Sequence, residues 1–325
     1  MADEVEVLGL DDRERWEGEH RRGGLPSQSW NYAWGLSASG FDPKLAIVRS
    51  HGARMVVPFF ERTFLATTDI ATIPGLSGAS VDPPSAGAPL ALWSEYARSR
   101  NWVAGYIQLA AASEPDRLPP DSSILAHNAV FLFDLRTWDP LRASARTVRR
   151  KVAAALEEGA RLVDNADALA QRLVELYPLT MRRVKAGVSF STETLRRWAR
   201  APTSLVLGVS VGDVVEAVHL GHVAGEHAEW HIAATTDKGR SLACLIYWNA
   251  AAHLRSRGVR FYNAGGGVRI GDGIYTFKQR LGGIPTPLKS LRQIYDRDTY
   301  HELCVRAGCR PDTEWFPAYR AERRD

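Results

Sequence analysis

Three short apolar segments, packed one after another and then followed by a long helix, restrict this chain more than any other feature. Residues 205–211, 214–223 and 228–234 read as strands joined by tight turns, the first at Gly212-Asp213. A helix over 241–257 comes next, then a short strand over 260–263 that runs into Gly265-Gly266-Gly267, then a further helix and strand. Tight turns force neighbouring strands antiparallel, whereas a helical crossover brings the next strand in parallel. The segment therefore predicts a mixed, mostly antiparallel sheet flanked by helices, an α/β (α+β) architecture.

The stretch before it is helical and basic. Over residues 142–158, Val148, Val152 and Leu156 fall four apart, with Arg142, Arg146 and Arg150 as a neighbouring stripe. A second helix over 166–183 carries Leu169, Leu173 and Leu176. The first part of the chain has its own signals. Residues 26–40 read as a helix with Ser27 or Ser29 as N-cap and Gly40 as stop. Residues 45–49 and 55–60 form a hairpin around His51-Gly52; 72–89 is a Gly/Pro/Ser-rich loop; 90–100 is helical; 102–108 and 130–135 are strands. A chain of 325 residues has room for two domains, 1–138 and 139–325.

Charge is unevenly placed. Residues 1–30 hold eight acids and four bases, whereas 136–200 hold fourteen Lys/Arg against seven Asp/Glu. A positive surface of that kind suits a polyanion, and a solvated helix face is the plain alternative. The acidic N-terminus is unlike a signal peptide, and no apolar run reaches the ~20 residues of a membrane helix, so a cytoplasmic protein without an integral membrane segment is expected. Three cysteines, Cys244, Cys304 and Cys309, lack zinc-ligand spacing, and no metal is expected. There is no Gly-x-Ser-x-Gly elbow, which sets serine hydrolases aside. GGGVRIG at 265–271 lacks dinucleotide-loop spacing and reads as a strand-end turn.

Residues 149–163 (RRKVAAALEEGARLV) and 173–183 (LVELYPLTMRR), with the helix–strand run ending in GIYTFKQRLGG at 273–283, resemble the FemABX peptidoglycan-bridge aminoacyltransferases. The likeness covers roughly 140–290 well and the first 135 residues in outline. It implies two GNAT-like domains, the first on the acceptor side and the second catalytic and on the donor side. It implies transfer of an amino acid from aminoacyl-tRNA to an amine, making a peptide bond, with no metal, no covalent enzyme intermediate and no DNA. Two departures bear on the acceptor. The helical hairpin insertion of cell-wall members has no counterpart of sufficient length. Pro74-Gly75-Leu76-Ser77-Gly78 stands where they often show Arg-Gly-Pro. A small amine, such as a specialised metabolite of antibiotic biosynthesis, is the acceptor expected.

An aminoacyl ester is already activated, so the protein must position it, stabilise an oxyanion and let the amine lose a proton. The motif carries the family's oxyanion-stabilising lysine onto Lys278, whose plain alternative is a surface lysine. Spacing puts Phe277 in the core and leaves Tyr275 to stack on a base or donate a hydrogen bond. Arg280 has the chemistry to meet a phosphate, or an acid in a salt bridge. His231 is a candidate general base if its pKa is near neutral, and a satisfied half-buried histidine otherwise. Asn263 is a candidate ligand or a turn former. Arg146, Arg149, Arg150, Lys151, Arg182, Arg183 and Lys185 offer the tRNA surface. Tyr32 and Asp69 are acceptor-side candidates, with Trp30 and Trp34 packed. An acyl-CoA-dependent N-acyltransferase is the alternative, although its phosphate loop would be the degraded Thr236-Asp237-Lys238-Gly239-Arg240-Ser241. A non-catalytic RNA-binding scaffold is a third reading, against which the Lys278 motif stands.

Overall fold

The alternation of short strands and helices runs through the computed structural model, which describes residues 3–82, 87–111, 113, 115, 117–184 and 189–321. In chain order the first elements are β1 (Glu4–Leu8), α1 (Arg13–His20), α2 (Trp30–Ser37), β2 (Lys44–Ser50), β3 (Ala53–Phe64), β4 (Thr67–Thr72), β5 (Ser80–Asp82), α3 (Gly87–Ser99), β6 (Trp102–Gln108) and β7 (Ser122–Asp134). After them come α4 (Pro140–Ala143), α5 (Arg146–Glu157), β8 (Ala160–Val163), α6 (Ala166–Val184), α7 (Thr192–Arg200), β9 (Ser204–Val211), β10 (Val214–Ala224) and β11 (His227–Thr235). The chain continues with α8 (Ala243–Ser256), β12 (Phe261–Gly266), α9 (Gly273–Arg280), β13 (Ile284–Ile294) and α10 (Arg297–Ala307).

Local chemistry accounts for many of these boundaries. The Ser29 hydroxyl accepts from the Tyr32 amide at the start of α2. His51 and Gly52 both have positive φ, 50° and 80°, the backbone of a two-residue turn that joins β2 and β3 in register. The segment 72–89, expected as loop, contains the short strand β5, paired to β3.

The contacts divide the chain into two units, though not by one cut at 138. The first comprises Met1–Glu19, Asp42–His127 and Pro287–Asp325, and the second His20–Phe41 and Asn128–Thr286. Backbone pairing explains the assignments. The end of β7 belongs to the second unit because Leu132, Phe133 and Asp134 pair with Asn263, Tyr262 and Phe261. Residues after 286 return to the first because Ser290–Ile294 pair with 104–108 of β6. Tyr32, expected in the first domain, lies in the second unit, where its ring stacks on Trp198 of α7 at 4.9 Å.

In the first unit the strands run β1-β2-β3-β4-β6-β13 with α3 packed against them, and Phe59, Trp93 and Trp102 form the centre of the core. In the second the order is β7-β12-β11-β10-β9-β8. As expected, β9, β10 and β11 are antiparallel and the α8 crossover makes β11 and β12 parallel. Alternation along β11 separates the two faces. Trp230 stacks on Tyr247 of α8 at 3.6 Å, in a core shared with α5. His231, the next residue, meets Trp198 of α7 at 4.6 Å on the other side.

Candidate active site

Pairing between β11 and β12 runs from His227↔Phe261 to Glu229↔Asn263 and stops, although β11 continues to Thr235 and β12 to Gly266. The glycines cause the parting. The Asn263 side-chain oxygen accepts from the Gly265 amide at 2.9 Å, Gly265 sits at φ +68°, and the β12–β7 register shifts between Asn263 and Gly266. A Cβ on Gly266 would lie 2.3 Å from the Ala129 carbonyl oxygen, so only glycine permits this approach. Of the strand-end turn expected at 265–271, Gly265 and Gly266 belong to β12 and the turn follows at 268–271, with Asn263 bonded to the Gly265 amide before it.

Beyond the turn, Asp272 caps α9. Its carboxylate accepts from the amides of Val268 (2.7 Å), Arg269 (3.0 Å) and Tyr275 (2.7 Å). Burial opposes its ionisation, but these backbone N–H groups outweigh it and hold the carboxyl below its usual range. Lys278 is on the last turn of α9, only 5% exposed, and its Nζ donates to the Gly266 carbonyl at 2.6 Å. Burial pushes its ammonium down to about 7, with the Asp272 charge resisting. A surface lysine is therefore excluded. Gly282, the first of the motif's closing glycine pair, is at φ +89°, and a Cβ there would come within 2.8 Å of Ala143.

A cavity of about 600 Å³ lies against this helix, lined by Lys151 of α5, Arg240 and Ser241 before α8, Cys244, and Gly273 and Phe277 of α9. A groove of about 570 Å³ follows Thr147, Arg150, Lys151 and Glu157 along α5. A Cβ on Gly239 would lie 2.0 Å from the Glu216 carbonyl oxygen, so only glycine lets the segment before α8 pass this close to β10.

The positions of the other candidates are mixed. Phe277, expected in the core, is half-buried, packs edge-on to Tyr247 and walls the cavity. Tyr275, expected to be available, instead sets its ring against Phe131 at 4.8 Å. Arg280 is exposed with no acidic partner among the described residues. His231 faces α2 and α7, whereas α9 packs on the α8 side, so the structure does not bring His231 and Lys278 together. Its Nε2 is 3.2 Å from the Tyr32 hydroxyl, and burial pushes its pKa down to about 3. A neutral ring of that kind is a poor proton acceptor near pH 7, against the expectation of a general base. Asp69 is not open to an acceptor: Arg62, Tyr319 and Arg320 all bind its buried carboxylate.

The basic residues separate by task. Arg149 donates to the carbonyls of Leu141 and Ser144, and Arg183 to the Thr235 carbonyl and hydroxyl, so both hold the fold. Arg146, Arg150, Lys151 and Arg182 are exposed, and Lys185 lies outside the described residues. Sequence reasoning missed Cys244 on the cavity wall and the rings of Trp198 and Phe190 around His231. The Ser191–Thr194 capping signal would have revealed α7 and with it Trp198.

Residues 141–279 match the family model of the acetyltransferase (GNAT) domain. A crystal structure of FemX superposes with TM-score 0.65 at 12% identity, covering 92% of this chain and 99% of that one. The fold is FemABX-like. The C-terminal domain of a putative lysylphosphatidylglycerol synthetase from Agrobacterium fabrum gives TM-score 0.59 at 13% identity, with 92% and 95% covered. L-PGS from Bacillus licheniformis gives 0.58 at 12%, with 88% and 93% covered. No curated protein sequence matches significantly. At these identities the solved structures establish the fold. The domain match supports an acyltransferase. No helix among the described residues is long and apolar enough to cross a membrane.

Proposed function

We propose that this chain transfers an amino acid from aminoacyl-tRNA to an amine acceptor, with Lys278 beside the reacting ester. The observation that carries the reading is a buried lysine, held at the lip of the β11–β12 opening by the Gly266 carbonyl, on the helix that walls the cavity. The attacking nitrogen forms a C–N bond, the ester C–O bond breaks, the amine gives up a proton and the ribose oxygen takes one. Protonated Lys278 supplies positive charge to the oxyanion and a proton to the departing oxygen. An ammonium that burial brings to about 7 gives up that proton more readily than an exposed one. Arg146, Arg150, Lys151 and Arg182 are the exposed cations for the tRNA backbone. Tyr275, Phe277 and Arg280 of the same helix border the donor's end, and the acceptor is a small amine met in the cytoplasm.

An acyl-CoA donor is the second reading. What favours it is that Arg240, Ser241 and Lys151 line the cavity at the N-terminus of α8, where backbone N–H groups suit a pyrophosphate. A transfer assay with radiolabelled aminoacyl-tRNA and a pool of amines, with and without RNase, decides between them. RNase-sensitive transfer that falls by about 100-fold or more in Lys278→Ala is the expected result. Label moving from acetyl-CoA, with none from tRNA, transfers the assignment to the second reading.

A further inference from the structure

The loop between β12 and α9 exposes aliphatic side chains that its backbone prevents from turning inward. Val268 is 78% exposed, Ile270 64% and Ile274 46%. The Asp272 carboxylate pins the amides of Val268 and Arg269, and the Asn128 side chain donates to the Gly267 carbonyl at 3.0 Å. The loop is therefore held through Gly267, Val268 and Arg269. The local charge is net positive: Asp237 lines the cavity beside α9 and Glu157 the α5 groove, against Lys151, Arg240, Arg150 and Arg269. Arg269 stands between the two aliphatics, exposed and without a partner among the described residues. Ile274 borders the cavity that Lys151 and Arg240 also line, and Arg150 precedes Lys151 on α5. The acid within the loop, Asp272, is taken up by backbone N–H groups.

We propose that Val268, Ile270 and Ile274, with Arg269, dock this face on an anionic lipid surface, the aliphatics entering the acyl-chain boundary and the cations meeting the headgroups. Exposed aliphatics flanked by Arg and Lys are the composition of an interfacial anchor. An RNA partner uses the cations equally well and finds one guanidinium plane in Arg269, but Val268, Ile270 and Ile274 offer no ring for its bases to stack on. The proposal concerns docking alone and does not depend on which acyl donor the cavity takes.

Vesicle sedimentation of the full chain tests it. The protein is expected to pellet with phosphatidylglycerol-containing phosphatidylcholine vesicles, less with phosphatidylcholine alone, and less as salt rises. Val268→Ser/Ile270→Ser, which leaves the backbone bonds to Asp272 in place, should weaken binding about tenfold. Arg269→Gln should weaken it on anionic vesicles only. Thermal melts of both variants verify the fold. Failure of the native chain to pellet, or equal pelleting of the double variant, overturns the proposal. So does a double variant that loses an RNA hairpin or a dimer instead, each read in parallel by filter binding and light scattering.

Discussion

The Lys278 ammonium donates to the Gly266 carbonyl and sees almost no water, and burial moves its pKa from the ordinary lysine range to about 7. That shift sets a sign. Between pH 7 and the ordinary lysine pKa the unfolded chain binds the proton that the folded chain has released, so stability rises with pH across this window. Below pH 7 both states carry the charge and the full cost of burying it remains. At about 1.4 kcal/mol for each tenfold change in acidity, the cost is a few kcal/mol. Lys278→Met is therefore expected to raise Tm at pH 6 and to gain little at pH 9, while losing transfer activity. A Tm gain independent of pH would show that the lysine is not buried as an ion. His231 tells the opposite story at the same scale. With its pKa at about 3, its ring should show no titration between pH 5 and 8 by NMR, and Tyr32→Phe should cost roughly 1 kcal/mol through the lost hydrogen bond. The motif singled out Lys278, and His231 was a candidate by residue type alone. What the structure adds is the burial of both and the opposite sides of the sheet on which they lie, and the depth of burial cannot be read from one sequence.

Elements were legible where their period was strong. The α5 stripe of Val148, Val152 and Leu156, the three strands β9–β11 and the α8 crossover follow directly from spacing, although Leu156 proves to be exposed. Shorter elements were not. β8 has four residues and forms by pairing Ala160–Val163 with 208–211, a tertiary cause with no local signal. Tyr275 and Phe277 both prove half-buried against the core, and Phe277 walls the cavity as well, because helical spacing fixes which residues share a face but not what lies opposite. The α2–α7 contact was equally hidden, and it yields a prediction. A Cβ on Gly35 of α2 would lie 2.3 Å from the Trp198 ring, and that ring already stacks on Tyr32 and donates to the Tyr32 carbonyl. Gly35→Ala is expected to destabilise the chain by about 1–3 kcal/mol through overpacking, even though alanine favours helix. Denaturant unfolding measures this, and an unchanged midpoint would mean that α2 and α7 are free to move apart.

At the scale of the whole chain, charge and connectivity each make a claim. Two compact units are legible from length and element order, but their interleaving is not, because it depends on which distant strands pair. A fragment of 139–325 would keep the signature GIYTFKQRLGG and lose both the β7 residues paired to Phe261–Asn263 and α2 beneath Trp198. Such a fragment is expected to melt without a cooperative transition, whereas a sharp melt would restore the single cut near 138. The basic segment makes the second claim, because its cations have different partners. Arg183 binds Thr235, so Arg183→Gln should lower stability and leave the salt dependence of tRNA binding alone. Arg150 and Lys151 line the α5 groove, exposed and without an acidic partner among the described residues. If the donor is tRNA, each neutralised cation that meets a phosphate should reduce the slope of log K against log salt by about 0.7–0.9. Arg150→Gln/Lys151→Gln is thus expected to flatten that slope by about 1.5 while leaving Tm unchanged. A slope that does not move would remove α5 from the nucleic-acid interface and leave Lys151 to the cavity it lines with Arg240.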